Sequence, residues 1–278
     1  MNSALKILTI NSLPALGTAG LKMVMGILGP HALPVPTVLL SGTGNMKNHK
    51  RFDLPFKELL QSTIELTIQQ GHSLIAYIGY LGDSQQAEII ENILIEFKNA
   101  IQYVMVDPVC GDNQRLYVNL EIAGSWSRLL ALADLATPNV TELAQLSGND
   151  VSTAGDCIKN SIIDFKEKYP KLDFILTGCV EDDKVVNRYY SREKTIESKH
   201  DFIPGYYSGT GDTFASLYLL LRFIKGFPIE KSLSMSGKMM ECFIRDAWRN
   251  HQTNININLL MEKTFQDQKK FITNCYDY

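Results

Sequence analysis

The chain has 278 residues, 45% of them hydrophobic and 21% charged, with a formal net charge of -3. This composition excludes a disordered or fibrous polymer and supplies enough apolar material for a large core. The near-neutral balance gives no electrostatic case for nucleic acid or an anionic membrane as a standing partner. Five cysteines (Cys110, Cys157, Cys179, Cys242, Cys275) are widely spaced without a CxxC or Cys/His pairing, which makes no zinc site and fits reduced thiols in the cytoplasm.

The first segment, "MNSALKILTINSLPALG", contains a short apolar run from Leu5 that reads as a strand, with no basic start or cleavage region of a signal peptide. No apolar stretch reaches the roughly 20 residues needed to span a bilayer. A second strand is expected in "VPTVLL" from Val35, and the basic stretch "KNHKR", Lys47 to Arg51, reads as a solvated loop. Helical spacing over Phe56 to Gln69 puts Phe56, Leu59, Leu60, Ile64 and Ile68 on one face. Next come a strand in "SLIAYIG" from Ser73, a helix over Ala87 to Phe97 with Ile90, Ile93, Leu94 and Phe97 inward, and a strand in "YVMVDP" from Tyr103. Further strands are predicted in "LADLATPN" from Leu132 and "FILTG" from Phe174. "CVEDDKVVNRYYS" and "KTIESKH" read as polar, partly exposed strands of an edge hairpin, and the chain from Thr210 onward reads as mainly helical. Alternating strand and helix predicts an α/β fold, a central mostly parallel sheet with helices on both faces. With no repeat or linker, residues 1–278 are expected to form a single domain.

In open α/β sheets the ligand site lies beyond the carboxyl ends of the strands. Six strand ends here carry polar or glycine-bearing groups: Asn11 and Ser12, "SGTG" from Ser41, "GYLGD" from Gly79, "DPVCGD" from Asp107, "TPN" from Thr137, and Thr177 with Gly178. The most informative stretch is "YYSGTGDTFASLYLLLRFIKG", Tyr206 to Gly226, where an aspartate precedes a long apolar run. Gly209, Thr210 and Gly211 can present consecutive N–H groups at the first turn of a helix, where the dipole favours anions. An acid there also simply supports the dipole, and glycines also simply make turns. Read functionally, Asp212 takes a proton from a substrate hydroxyl while the N–H groups stabilise a transferring phosphoryl group, and an ordinary, unshifted carboxylate is expected to suffice.

Asp107 and Asp112 flank a proline-fixed turn, an arrangement suited to direct or indirect Mg²⁺ binding completed by substrate phosphates. A plain surface turn accounts for Asp112 more readily than for Asp107, which ends an apolar strand. After Pro138, Asn139 and Glu142 fit either a helix cap and a solvated acid or groups that hold metal-bound water and phosphate. There is no P-loop, no HRD or DFG, no strand–GxGxxG–helix unit and no GxSxG elbow, and His31, His49, His72, His200 and His251 are scattered.

The order of these motifs resembles the ribokinase superfamily, and within it the pyridoxal kinases, over Ile7 to about Leu221. The "DPVxGD…LYV", "TPNxxE" and "GTGD" elements carry the resemblance together. It implies a ribokinase-like fold and ATP-dependent phosphorylation of the 5′-hydroxymethyl group of pyridoxal, pyridoxamine or pyridoxine. It further implies Asp212 as base; Gly209, Thr210 and Gly211 as the anion hole; and Ser12, Thr37 and Tyr80 at the vitamer. Asp112, Tyr117, Asn139 and Thr177 would attend ATP, and Asp107, Asp112 and Glu142 would attend Mg²⁺. A homodimer is implied as well, and a monovalent cation beside Mg²⁺ stays open. Two stretches depart from the family pattern: "SLPALGTAG", with Leu13 following Ser12, lacks the histidine and further polar or aromatic groups usual in that stretch, and "SGTGNMKNHKR" lacks the aromatic residues expected near the pyridine ring. Both fall on substrate recognition and leave the phosphoryl-transfer end intact. The alternatives are a hydroxymethylpyrimidine kinase, whose "SGGAG"-like turn is absent, a longer sugar or nucleoside kinase with a lid sheet, and a non-catalytic vitamer-binding protein.

Overall fold

A computed structural model describes residues 4–44, 46–153 and 157–256. The C-terminal "TFQDQKKFITNCYDY" and Cys275 lie outside the described residues. The strands are β1 (Leu5–Pro14), β2 (Ala32–Leu40), β3 (Arg51–Phe52), β4 (Ser73–Ile78), β5 (Ile101–Val106), β6 (Gly111–Asp112), β7 (Arg115–Leu116), β8 (Leu135–Ala136), β9 (Asp173–Glu181), β10 (Lys184–Tyr190) and β11 (Thr195–Asp201). The α-helices are α1 (Leu21–Leu28), α2 (Phe56–Gln69), α3 (Gln85–Glu96), α4 (Leu120–Leu130), α5 (Val140–Ser147), α6 (Ile158–Lys168), α7 (Thr210–Leu219) and α8 (Ile229–Arg249). The apolar run after α7 continues as a π-helical turn, Leu220–Ile224.

Nine strands form one sheet in the order β11-β10-β9-β8-β5-β4-β1-β2-β3, and β6 and β7 make a separate two-stranded ribbon. Pairings from β2 through β1, β4, β5 and β8 to β9 are all parallel. The antiparallel strands β3, β10 and β11 lie toward the two edges. This is the predicted ribokinase-like architecture. Alternate residues serve opposite faces: Leu8 and Ile10, Leu74 and Ala76, and Phe174 join the core that includes Phe56, Leu60, Ile90 and Trp126. Ile7, Ile75, Tyr77, Met105 and Ile175 join the opposite core with Met23, Phe214, Leu217 and Phe243 of α1, α7 and α8. Burial on both faces explains why the central strands read as continuous apolar runs rather than alternating ones.

Three expectations shift. The strand read from Leu132 is confined to Leu135–Ala136, because the Leu132 N–H still closes the turn after α4 on Leu129 O. On α2, Leu59 and Ile68 are 37% and 39% exposed, and Thr67 faces inward in their stead. Arg51 is not a free loop cation: it sits in β3 and reaches Gly82 O, Asp53 and Asp83. The edge hairpin is present, its β9–β10 turn made by Asp182 and Asp183 with φ of 48° and 59°, as a two-residue hairpin loop requires.

From β1 the chain steps outward to β2 and then returns to place β4 on the other side of β1. The crevice between the carboxyl ends of β1 and β4 is therefore the topological switch point, where open α/β sheets bind their ligands.

Candidate active site

At the switch point Asn11 of β1 joins three segments. Its Oδ1 accepts from Ser12 N–H at 2.8 Å and from Tyr80 N–H at 3.2 Å, and its Nδ2 donates to Asp212 Oδ1 at 2.7 Å. Gly79 permits this approach, since a β-carbon there would lie 2.2 Å from Asn11 Nδ2. The second Asp212 oxygen accepts from Gly20 N–H at 2.7 Å. The carboxylate at the mouth of α7 is thus gripped at both oxygens rather than unshielded. Its pKa is also not ordinary: burial raises it, and the bonds from Gly20 and Asn11 pull it back only in part.

The first turn of α7 follows Gly209, whose φ of 83° is left-handed and which has no side-chain cap. A β-carbon at Gly209 would sit 2.5 Å from Thr18 O, so only glycine lets the β1–α1 loop lie against the helix mouth. The N–H groups of this turn have no partners within the helix and form the positive end of its dipole. Gly211 lies beside Asp107, with a built β-carbon 3.6 Å from Asp107 Oδ2.

Asp107, just past β5, is 5% exposed. Its Oδ1 accepts from Thr137 Oγ1 at 3.1 Å and its Oδ2 from the Tyr77 hydroxyl at 3.3 Å. Burial, reinforced by the charge of Asp212, pushes its pKa up to about 7. Glu142 is buried in turn and raised well above the usual range, first by burial and then by Asp107. It closes a capping box with Asn139 at the start of α5, and its Oε1 accepts from Cys110 N–H at 3.1 Å. Of the two readings of Glu142, the solvated acid is ruled out by its burial, while Asn139 does cap the helix and also donates to Gly111 O at 2.8 Å.

The other predicted residues take these places. Ser12 is buried beside Gly20, where a β-carbon would meet its Oγ at 2.8 Å. Thr37 donates to Tyr80 O at 2.9 Å, so the two residues expected at one pocket are joined. Thr177 N–H bonds Pro138 O at 3.0 Å and pairs with Asn139 as an isolated bridge, next to Gly178, whose φ of 71° marks the bulge in β9. Asp112 is exposed and accepts from its neighbour Asn113, while Tyr117, 58% exposed, anchors by its N–H to Cys110 O.

Sequence reasoning noted Asn11 and Thr137 as polar strand ends but gave neither a role, assigned no contact to Gly20, and passed over Tyr77. The signal for Asn11 was available, since an amide ending an apolar strand must find buried partners. For Tyr77 there was none, because a tyrosine inside an apolar strand reads as core.

None of the ion pairs among the described residues includes Asp107, Glu142 or Asp212, so three carboxylates crowd this edge with no basic side chain paired to them. The described residues contain no set of three His, Cys, Asp or Glu side chains able to hold a metal alone. The donors fit a hard cation that takes one or two carboxylates from protein and the rest of its shell from phosphates and water, as Mg²⁺ does.

Residues 18–258 match the family model described as phosphomethylpyrimidine kinase. A candidate pyridoxal kinase of Schizosaccharomyces pombe is 31% identical over 237 residues, 78% of this chain and 74% of that protein. A candidate phosphomethylpyrimidine kinase from Bacteroides thetaiotaomicron, solved in a crystal form with pyridoxal, superposes with a TM-score of 0.77 at 26% identity, covering 88% of this chain and 89% of that one. The pyridoxal kinase of Leishmania donovani in complex with ADP and pyridoxamine shares the fold, with a TM-score of 0.72 at 21% identity over 88% of this chain and 87% of its own.

Proposed function

The chain belongs to the pyridoxal kinase family, and on that premise we propose that it transfers the terminal phosphoryl group of ATP to the 5′-hydroxymethyl group of a vitamin B6 vitamer. The observation that carries this reading is the double grip on Asp212 by Asn11 and Gly20, beside the uncapped first turn of α7 and above the switch point. A binding protein needs an alcohol held in place. It does not need a carboxylate fixed next to an anion-binding helix end.

In this reading Asp212 accepts the alcohol proton as the oxygen attacks phosphorus. Burial lifts its pKa toward the working range, which makes it a stronger base than a solvated aspartate. The N–H groups of Gly209, Thr210 and Gly211 take up charge on the transferring group, and their fixed orientation needs no reorganisation during reaction. Asp107 and Glu142, with Asp112 at the rim, would hold Mg²⁺, which when bound neutralises the phosphate charge. Ser12, Thr37 and Tyr80 would orient the ring at the ends of β1, β2 and β4. Asn139, Thr177 and Tyr117 would border the phosphates of ATP.

The description of the matching family model names a phosphomethylpyrimidine, so the second reading is a methylpyrimidine substrate, whose unphosphorylated form, hydroxymethylpyrimidine, presents a flat ring and a primary alcohol. The pyridoxal in the crystals of the Bacteroides relative supports the B6 vitamer. The test is ATP- and Mg²⁺-dependent phosphorylation of pyridoxal, pyridoxamine, pyridoxine and hydroxymethylpyrimidine, wild type beside Asp212→Asn. B6 turnover that collapses in the variant supports the proposal. Turnover of the pyrimidine alone moves the assignment to the second substrate, and vitamer binding without ATP consumption rejects a kinase.

A further inference from the structure

Tyr77 lies in β4 with its ring fully buried on the sheet face covered by α1, α7 and α8, among Ile7, Ile75, Met105 and Leu135. Nothing in that apolar surround calls for a hydroxyl, and a phenylalanine would fill the same space. Burying a phenol is unfavourable unless it finds a partner. The partner here is Asp107 Oδ2 at 3.3 Å, and Thr137 holds the other oxygen from β8 at 3.1 Å. With one donor on each oxygen, the Asp107 carboxylate cannot turn without breaking a buried bond, and it is held against Gly211 at the mouth of α7.

We propose that Tyr77 is the positioning residue for Asp107, its phenol fixing the carboxylate in the orientation that receives the Mg²⁺ form of the nucleotide at the first turn of α7. The inference rests on the kinase reading above for the identity of the ligand. A group that orients a metal ligand is typically worth 10–100-fold in metal affinity or activity.

The experiment compares wild type with Tyr77→Phe by calorimetry with ADP, once with Mg²⁺ and once with a chelator, alongside thermal midpoints and the KM for pyridoxal. The expected result is a loss of about 10–100-fold in affinity for ADP with Mg²⁺, with ADP affinity under chelator, the pyridoxal KM and the thermal midpoint held. Unchanged affinity for ADP with Mg²⁺ overturns the inference. So does an equal loss with and without Mg²⁺, which marks a general packing defect, and so does a wild type whose ADP affinity ignores Mg²⁺. If Tyr77→Phe does not fold, Thr137→Val removes the other hydroxyl from the same carboxylate and must show the same Mg²⁺-selective loss. A wild type that binds ADP with Mg²⁺ yet phosphorylates no alcohol sinks the kinase reading, and the calorimetric contrast still decides the role of Tyr77.

Discussion

Gly211 faces Asp107 with room for one more carbon: a β-carbon built on the glycine would lie 3.6 Å from Asp107 Oδ2, an ordinary contact distance. Gly211→Ala therefore fits sterically, and alanine suits a helix better than glycine by up to about 1 kcal/mol. The added methyl, however, takes up space beside Asp107 on the turn whose N–H groups are proposed to hold the transferring phosphoryl group. The expected outcome is a thermal midpoint no lower than wild type with kcat/KM down about 10²–10³, as for a lost oxyanion-hole donor. Gly209→Ala behaves oppositely, because its φ of 83° and a Thr18 carbonyl oxygen only 2.5 Å from where the new β-carbon would stand make it a folding defect, visible in calorimetry as a lowered midpoint.

Asp212→Asn exchanges a carboxylate for an amide facing two donors, Asn11 Nδ2 and Gly20 N–H. The amide oxygen can accept from one while its own NH₂ opposes the other. Loss of the base is expected to lower kcat by about 10²–10⁴, with pyridoxal affinity in direct titration retained. Asn11→Ala leaves the Ser12 and Tyr80 N–H groups without their acceptor, at about 1–3 kcal/mol for each N–H left buried and unpaired. Urea unfolding of Asn11→Ala should show that loss, and the assay should show a fall in kcat as Asp212 loses one anchor.

His200 supplies a pH signature remote from the active site. It is 8% exposed, packed where a β-carbon on Gly237 of α8 would reach its ring at 3.0 Å. Burial lowers its pKa below the ordinary 6.5, and the nearby Asp201 and Glu241 offset that only in part. The unfolded chain therefore binds this proton more readily than the folded one, and stability present above pH 6.5 is lost as pH falls through the depressed value. Urea midpoints measured between about pH 7.5 and about pH 5.5 should fall for wild type and fall less for His200→Gln.

Binding of ADP with Mg²⁺ should stabilise the fold by mass action. At a ligand concentration of 100 times Kd the gain is about 2.7 kcal/mol, which corresponds to a rise of roughly 5 °C in a chain of this size. Adding a chelator should remove most of the rise, because the carboxylates around Asp107 then face the phosphates without a neutralising cation.

Much of the fold was legible because doubly buried strands and amphipathic helices leave strong periodic signals. α2 was read over Phe56–Gln69 and is found over the same residues. The strand expected from Leu132 was misjudged because its apolar residues serve the end of α4, a choice made by tertiary packing. At the candidate site the motifs announced the carboxylates and glycines. They did not announce Asn11 or Tyr77, whose importance depends on which distant group each one meets. Likewise, a sequence reads Asp212 as an ordinary carboxylate until Gly20, 192 residues earlier, is seen to bond it.

That long reach also bears on how the protein is made. The two halves of the Asn11–Asp212 bond leave the ribosome 201 residues apart, a delay of roughly 10–40 s at ordinary synthesis rates. Until α7 emerges, Asn11 lacks the carboxylate of Asp212. On the proposed reading, a nascent or prematurely terminated chain therefore carries the edge at Ser12 and Tyr80 without its proton acceptor, and it cannot spend nucleotide before α7 has been made.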